Sequence, residues 1–140
     1  MKIGVSSYSF SKYVAATGAS LFDLCDKAKE IGFDGIEFTD IKTADPVATA
    51  EALRAHCEKI GLDITAYAIG ANFLSEDPEA EVARVCREVD VCAALGAKLM
   101  RHDVCYALPR QHLYSWRDAA EQMAPLIRRV TEYAASKGVR

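Results

Sequence analysis

Four consecutive stretches of this sequence follow one pattern, in which a short apolar run leads into a helix-like segment that ends at a glycine. The closing glycines are Gly32, Gly61, Gly96 and Gly138. Glycine commonly follows the last turn of a helix because it adopts the left-handed conformation at little cost. Parallel strands need a long crossover connection, usually a helix, whereas antiparallel strands can be joined by a tight hairpin. The repeat therefore predicts parallel strands covered by helices.

The predicted elements alternate along the whole chain. Ser20, followed by Asp23, approximates a capping box for the first helix, and Asp45-Pro46 supplies an N-cap and a first-turn proline for the second. Pro125 is unfavourable inside a helix, so the last helical segment is either two helices or one kinked helix. The predicted strands cover residues 2–7, 35–39, 62–69 and 97–101, with a fifth strand beginning at 139; the predicted helices cover 20–31, 46–60, 78–95, 116–123 and 125–136.

This order predicts an α/β fold built from parallel (β/α) units. Four units are half of a TIM-type (β/α)8 barrel, which typically needs about 250 residues. We therefore expect residues 1–140 to form a single domain, the N-terminal half of such a barrel. A flavodoxin-like open sheet is the main alternative, but its first strand–helix turn would normally carry a glycine-rich phosphate loop. The segment Ser6-Ser7-Tyr8-Ser9-Phe10 lacks those glycines.

The composition argues against several classes of function. A formal net charge of −3 disfavours a nucleic-acid binder, which would normally carry a basic face. No apolar run approaches the ~18 residues of a membrane span. The start of the chain lacks the features of a signal peptide, so we expect a cytoplasmic protein. The odd cysteine count and the absence of CxxC spacing predict free thiols at Cys25, Cys57, Cys86, Cys92 and Cys105.

Polar and aromatic side chains follow the predicted strands, at the end where parallel α/β folds place their active sites. Aromatic faces suit the apolar face of a sugar or polyol. The same aromatic residues, including Phe73, could equally pack around the loops. The residues expected to bind a small-molecule substrate are Tyr8, Phe10, Glu37, Tyr67, Arg101 and His102.

Glu37 is the most informative of these residues. It lies between Ile36 and Phe38, so its carboxylate points to the face opposite those two apolar side chains. A charge inside a barrel needs a partner, and Arg101 on the fourth strand is the expected one. Two interpretations stay open: an ion pair that fixes the barrel mouth, or contact of one or both side chains with a polar substrate.

The histidines do not define a metal site. His102 follows the fourth strand, where contact with a substrate or metal and an ordinary loop hydrogen bond are both open interpretations. His56 is expected on the surface or in packing, and His112 in a solvated loop. A zinc or manganese site needs three or four converging ligands, and only His102, Asp103 and possibly Glu37 are available. We therefore predict no metal ligand in this chain, and we assign no catalytic residue to it.

Several segments resemble the sugar phosphate isomerase/epimerase family, the xylose-isomerase-like TIM barrels. The strongest is GFDGIEF at residues 32–38, which is moderately specific. The others are weak singly but keep the same order along the whole chain: IGVSSYSF at 3–10, GLDI at 61–64, LGAK at 95–98 and YAASKGV at 133–139.

The resemblance implies an isomerase or epimerase of sugars, polyols or keto-sugars that moves a proton next to a carbonyl and depends on a divalent metal (Mn, Zn, Co or Mg). In this family the metal ligands usually follow strands five to eight, which lie outside these four units, so the chain alone is expected to be inactive. Tyr8 and Phe10 would form a pocket wall, Glu37 a polar group and His102 a contact near the substrate. The related endonuclease branch matches only at His102, and the acidic charge disfavours it.

A non-catalytic alternative remains. A half barrel exposes two sheet edges and an inner face expected to be apolar, so it should associate. The partner would be a second copy or the remainder of a barrel, which makes a self-associating half barrel or a small-molecule binding module the rival function. Redox chemistry at Cys105 is a third hypothesis, with only His102 nearby to support it.

Overall fold

The computed structural model describes residues 1–108 and 115–140, and His112 lies outside them. The chain alternates strands and helices as the sequence predicts. The elements in order are β1 (Gly4–Ser6), a 3-10 helix (Ser7–Phe10), α1 (Ser11–Thr17), α2 (Leu21–Ile31), β2 (Gly35–Thr39), α3 (Pro46–Ile60), β3 (Asp63–Ile69), α4 (Pro78–Ala94), β4 (Met100–His102) and α5 (Trp116–Ser136).

Local sequence explains most helix boundaries. Ser20 and Asp23 form a complete capping box at α2, and the Asp45 side chain accepts a hydrogen bond from the amide of Ala48 at α3. A second capping box, formed by Ser115 and Asp118, begins α5 and was not predicted. The predicted strand 2–7 is shorter in the structure: β1 begins at Gly4, and Ser7 already belongs to the 3-10 helix.

Two helical segments differ from the simplest expectation. The 3-10 helix and α1 were not predicted, since α1 buries no side chain and therefore has no apolar stripe to reveal it. At the other end of the chain, α5 is one helix that contains Pro125, which is one of the two predicted alternatives. The missing N–H of Pro125 leaves the carbonyl four residues earlier, at Glu121, without its usual helical partner.

The strands form one parallel sheet in the order β1-β2-β3-β4. This is the order of a half barrel and not of a flavodoxin-like sheet, whose strand order is not sequential. The register shifts between Ile36 and Glu37: Ile36 pairs with Ile64, whereas Glu37 pairs with Ala66. The shift inserts one extra residue, Thr65, into β3 opposite this step of β2, as in a β-bulge.

The core lies between the sheet and the helices. Ile36 and Phe38 of β2 point to this side and are fully buried, together with Leu53 of α3 and Val85 of α4. All five cysteines are free, as predicted. Within the described residues, no helix is both long and apolar enough to cross a membrane.

The predicted fifth strand begins to pair with β4. The amide of Arg140 donates to the carbonyl of Lys98 over 3.0 Å, and the amide of Met100 donates to the carbonyl of Arg140 over 2.8 Å. These two bonds bracket one residue, as in a parallel ladder. The start of the β4 edge, at Met100, is therefore already paired with Arg140.

Candidate functional site

The inner face of the sheet carries small and polar side chains. Strand alternation places Ser6, Glu37, Thr39, Ala68 and Arg101 on this face, opposite the apolar core. The expectation of an apolar inner face is therefore wrong for the centre of the sheet. Leu99, 53% exposed just before β4, is a large apolar side chain that stays accessible.

A pocket of about 390 Å³ lies on this face at the carboxyl ends of the strands. We call it the mouth pocket. Three of the predicted site residues, Tyr8, Glu37 and Arg101, line it together, and the Tyr8 side chain is 74% exposed. The complete lining is Ser6, Tyr8, Glu37, Thr39, Asp40, Ala68, Ile69, Gly70, Arg101 and Asp103.

Arg101 pairs with a carboxylate other than the expected one. Its Nη1 lies 2.7 Å from Oδ1 of Asp103, and among the described residues no ion pair joins it to Glu37. The register explains this outcome: Arg101 pairs with Ala68, which pairs with Thr39, so Arg101 lies two residues higher along the sheet than Glu37. The predicted Glu37–Arg101 ion pair is therefore wrong.

The rim between β1 and β2 is fixed by hydroxyl groups. The amide of Thr39 donates to the Ser7 Oγ over 3.0 Å, and the two hydroxyl oxygens lie 3.2 Å apart. Ser7 is buried although it is polar, and these bonds satisfy it. They hold the 3-10 helix, and with it Tyr8, against the end of β2.

Asp40 follows Thr39 in a conformation that is unusual for a non-glycine residue. Its φ is +40°, which lies in the left-handed region that aspartate tolerates better than most residues. Its amide donates to the carbonyl of Ala68 over 3.2 Å. Strained backbone of this kind clusters at ligand sites, and Asp40 lines the mouth pocket.

The other three predicted site residues lie on the helix side of the sheet. Phe10 is buried and packs in the hydrophobic core. Tyr67 has no exposed surface, and its hydroxyl donates to Oε2 of Glu88 over 2.7 Å. Burial, followed by the neighbouring Glu88, raises the pKa of Tyr67 above its ordinary value. The structure therefore does not bring these two aromatic rings to the mouth pocket.

His102 also points to the helix side. Its ring packs edge-on against Phe73, with ring centroids 5.5 Å apart. Its Nδ1 donates to the backbone carbonyl of Asp103 over 2.7 Å. A small cavity of about 100 Å³ separates it from Val130 and Val139. These contacts favour the second interpretation of His102, an ordinary hydrogen bond to the backbone, over contact with a substrate or metal.

Three polar residues that line the mouth pocket were not among the predicted substrate-binding residues: Thr39, Asp40 and Asp103. A usable signal exists for Thr39, which alternates with Glu37 along β2. Asp40 and Asp103 follow strand ends, where alternation no longer fixes the direction of a side chain. Together with Glu37 they give the pocket three carboxylates beside the single guanidinium of Arg101.

The described residues do not form a metal centre. Within residues 1–108 and 115–140, no three His, Cys, Asp or Glu side chains converge closely enough to hold a metal ion. The divalent metal that the family resemblance implies therefore does not fit the donors of these four units. No chemical step of this chain is assigned to a metal.

These features define the class of the protein: the first half of a parallel (β/α) barrel, with a polar pocket at the carboxyl ends of its strands. The family model for the xylose isomerase-like TIM barrel matches residues 25–140. The chain belongs to this family. No curated protein matches the sequence.

Solved structures with the same fold include three keto-sugar epimerases. D-psicose 3-epimerase, in the presence of D-fructose, is 19% identical with a TM-score of 0.76 and covers 100% of this chain. L-ribulose 3-epimerase is 21% identical with a TM-score of 0.70 over 99% of this chain. D-allulose 3-epimerase from Methylomonas sp., in complex with D-allulose, is 22% identical with a TM-score of 0.67 over 100% of this chain.

The chain spans about half the length of these structures, with 50%, 48% and 49% of each covered. At identities of 19% to 22%, TM-scores of 0.67 to 0.76 show the shared fold alone. The fold class predicted from the sequence, the first four units of a (β/α)8 barrel, is confirmed.

Proposed function

We propose that this chain supplies the substrate-facing half of a sugar or keto-sugar isomerase or epimerase. The observation that carries this proposal is the mouth pocket, in which Tyr8, Glu37 and Arg101 converge at the carboxyl ends of parallel strands. Support comes from the likeness to half of three keto-sugar epimerases. A single domain over residues 1–140 and a cytoplasmic location are parts of the same proposal.

The chemistry of the pocket suits a polyhydroxylated ligand. The carboxylate of Glu37 accepts hydrogen bonds from sugar hydroxyls, and the guanidinium of Arg101 donates to hydroxyl or carbonyl oxygens. The exposed ring of Tyr8 offers an apolar face to the carbon skeleton. With a formal charge of −3 on the chain, a nucleic acid is not the expected partner.

The complete enzyme would move a proton next to the sugar carbonyl, and it would need a divalent metal such as Mn, Zn, Co or Mg. Its metal ligands and proton-transfer carboxylates would come from outside these four units. The role proposed for the present chain is to bind and orient the sugar. We therefore expect the 140-residue chain to bind keto-sugars weakly and to have no epimerase activity.

Titration with D-fructose and D-allulose, followed by NMR shifts of the Glu37 and Arg101 amides, tests this role. Saturable shifts that disappear in Glu37→Gln and Arg101→Met support it. Arg54→Met is the matched control, because Arg54 is an exposed arginine of α3 that pairs with Glu58. Equal shifts in all three variants, or none in the unmodified chain, would contradict the proposal.

A non-catalytic half barrel that associates with a second copy is the alternative. The observation in its favour is the open sheet, whose β1 edge pairs only with β2 among the described strands. An unpaired edge is a template for another strand. Light scattering at increasing concentration separates the two functions: a stable dimer without sugar binding favours association, and a monomer that binds sugar favours the first proposal.

A further inference from the structure

A cluster of three charged residues on α4 reaches from the helix to the loops of the mouth pocket. The cluster consists of Glu81, Arg84 and Glu88, and we call it the rim brace. Two nitrogens of Arg84 contact the carboxylate of Glu81: Nε lies 2.8 Å from Oε2, and Nη2 lies 2.8 Å from Oε1. This is the two-pronged pairing that fixes a guanidinium in one orientation.

The first arm of the brace holds the loop after β3. Nη2 of Arg84 donates to the carbonyl of Gly70 over 2.7 Å, and the amide of Asn72 donates to Oε1 of Glu81 over 2.7 Å. Gly70 itself lines the mouth pocket. Two side chains from one turn of α4 therefore hold the segment from Gly70 to Asn72 at both ends: Arg84 binds its first carbonyl, and Glu81 binds its last amide.

The second arm reaches the loop after β2. Oε2 of Glu88 accepts the hydrogen bond from the Tyr67 hydroxyl, and that hydroxyl accepts one from the amide of Ile41 over 3.2 Å. Ile41 directly follows Asp40, the residue with φ +40° that lines the pocket. A strained backbone conformation persists only where the surrounding structure stabilises it. The hydrogen bond from the Ile41 amide to the Tyr67 hydroxyl helps to stabilise the conformation of Asp40.

The brace is more buried than the exposed ion pair between Arg54 and Glu58. The side chains of Arg84 and Glu81 are 34% and 14% exposed, whereas those of Arg54 and Glu58, also on one helix face, are 53% and 65% exposed. Half-buried charges carry a desolvation cost that apolar residues would avoid. Both arms of the brace end on backbone groups of the loops beside the pocket. These charges therefore fix loop backbone in addition to packing against the sheet.

We propose that Glu81, Arg84 and Glu88 are positioning residues that set the shape of the mouth pocket from its helical side. Arg84 and Glu81 fix Gly70 and Asn72, and Glu88 fixes Ile41 and so Asp40 through Tyr67. The sugar-orienting role of the brace rests on the proposed function. Its action on the loops does not, and the two can be measured separately.

The test compares amide hydrogen exchange in Arg84→Met, Tyr67→Phe and the control Arg54→Met. In Arg84→Met the Asn72 amide should exchange at least about tenfold faster, with the amides of α3 unchanged. In Tyr67→Phe, which keeps the ring, the Ile41 amide should exchange faster and that of Asn72 should not. In Arg84→Met, exchange that is faster across the whole sheet, or no change at Asn72 relative to the control, would overturn the proposal.

A parallel D-fructose titration measures the effect on the pocket. Arg84→Met should weaken the apparent affinity several-fold, although Arg84 does not line the pocket, and Arg54→Met should leave it unchanged. Unchanged affinity in Arg84→Met, where the unmodified chain binds, refutes the sugar-orienting role. If the unmodified chain does not bind fructose, the proposed function fails, and the exchange measurement still decides whether the brace positions the loops.

Discussion

Arg101 and Glu37 lie on the same face of the sheet but at different heights, and Arg101 pairs with Asp103 across 2.7 Å. The pairing leaves the carboxylate of Glu37 without an ion-pair partner among the described residues. Because Arg101 and Asp103 are both largely accessible, their pair can open toward a ligand at little cost. In the mouth pocket, the carboxylate of Glu37 is therefore accessible to a ligand, and the ion pair between Arg101 and Asp103 can open to bind one.

Replacing Arg101 should affect binding much more than stability. The side chains of Arg101 and Asp103 are 64% and 43% exposed, and exposed ion pairs contribute about 0–1 kcal/mol. We expect Arg101→Met to change the free energy of unfolding in urea by less than about 1 kcal/mol. A loss of more than about twice that amount would show that Arg101 has a structural role.

Replacing the Tyr67 hydroxyl should destabilise the fold. Tyr67→Phe preserves the packing of the ring but leaves Glu88 and the Ile41 amide without their shared partner. Buried groups that lose a hydrogen-bond partner cost about 1–3 kcal/mol. Urea unfolding measures this loss, and Tyr8→Phe is the matched control because Tyr8 is 74% exposed. Equal stability of the two variants would contradict the prediction.

The Glu81 contribution to stability should depend on pH in the acid range. The hydrogen bond from Arg84, and to a lesser extent that from the Asn72 amide, lowers the pKa of Glu81 below its ordinary value of 4.5, although burial opposes this shift. Because the folded state has the lower pKa, the contribution is fully present above about pH 4.5 and is lost as pH falls through the folded value.

Urea unfolding at several pH values measures this dependence. The difference in unfolding free energy between the unmodified chain and Glu81→Gln should be largest at neutral pH and shrink below pH 4.5. Glu51→Gln, at an exposed position of α3, is the control. A difference that stays constant down to pH 3 would rule out the ionised form of Glu81 as the stabilising species.

Gly35 should not tolerate a side chain. A Cβ at this position would lie 2.7 Å from Cγ2 of Thr65 and 2.9 Å from the carbonyl oxygen of Asp63. Overpacking of this kind typically costs about 1–3 kcal/mol. Gly4→Ala is the comparison, because its nearest contact would be an ordinary 3.4 Å. Thermal unfolding should show a lower midpoint for Gly35→Ala than for Gly4→Ala, and the reverse order would refute the argument.

The elements that could be predicted are those encoded by short-range interactions. The capping box of Ser20 and Asp23, the first-turn proline after Asp45 and the glycine at each helix end all act within a few residues. Parallel pairing followed from the length of the connections. The 3-10 helix and α1 escaped prediction because neither presents a long apolar stripe.

The site was predicted in part. Tyr8, Glu37 and Arg101 meet at the mouth pocket, whereas Tyr67 and His102 face the helices. The two alanines that flank Tyr67 were a usable signal. Neighbouring residues of a strand point to opposite faces, so the small alanines lie on the inner face with Glu37 and Thr39, and the large ring of Tyr67 packs in the core on the helix side. For His102 the prediction failed because β4 extends one residue beyond the predicted end at 101, so His102 alternates with Arg101 and points to the opposite face.

The sequence by itself determined a succession of parallel (β/α) units, since helix periodicity, capping and glycine ends are local and survive without tertiary context. Only the tertiary structure decided which side chains meet. The register of β2, β3 and β4 sets the relative height of strands that are far apart in sequence, and so places Arg101 two residues above Glu37. The links from α4 to Gly70 and Ile41 likewise depend on how a helix docks on the sheet. The relative positions of strands and helices along the sheet are fixed by packing across the whole core.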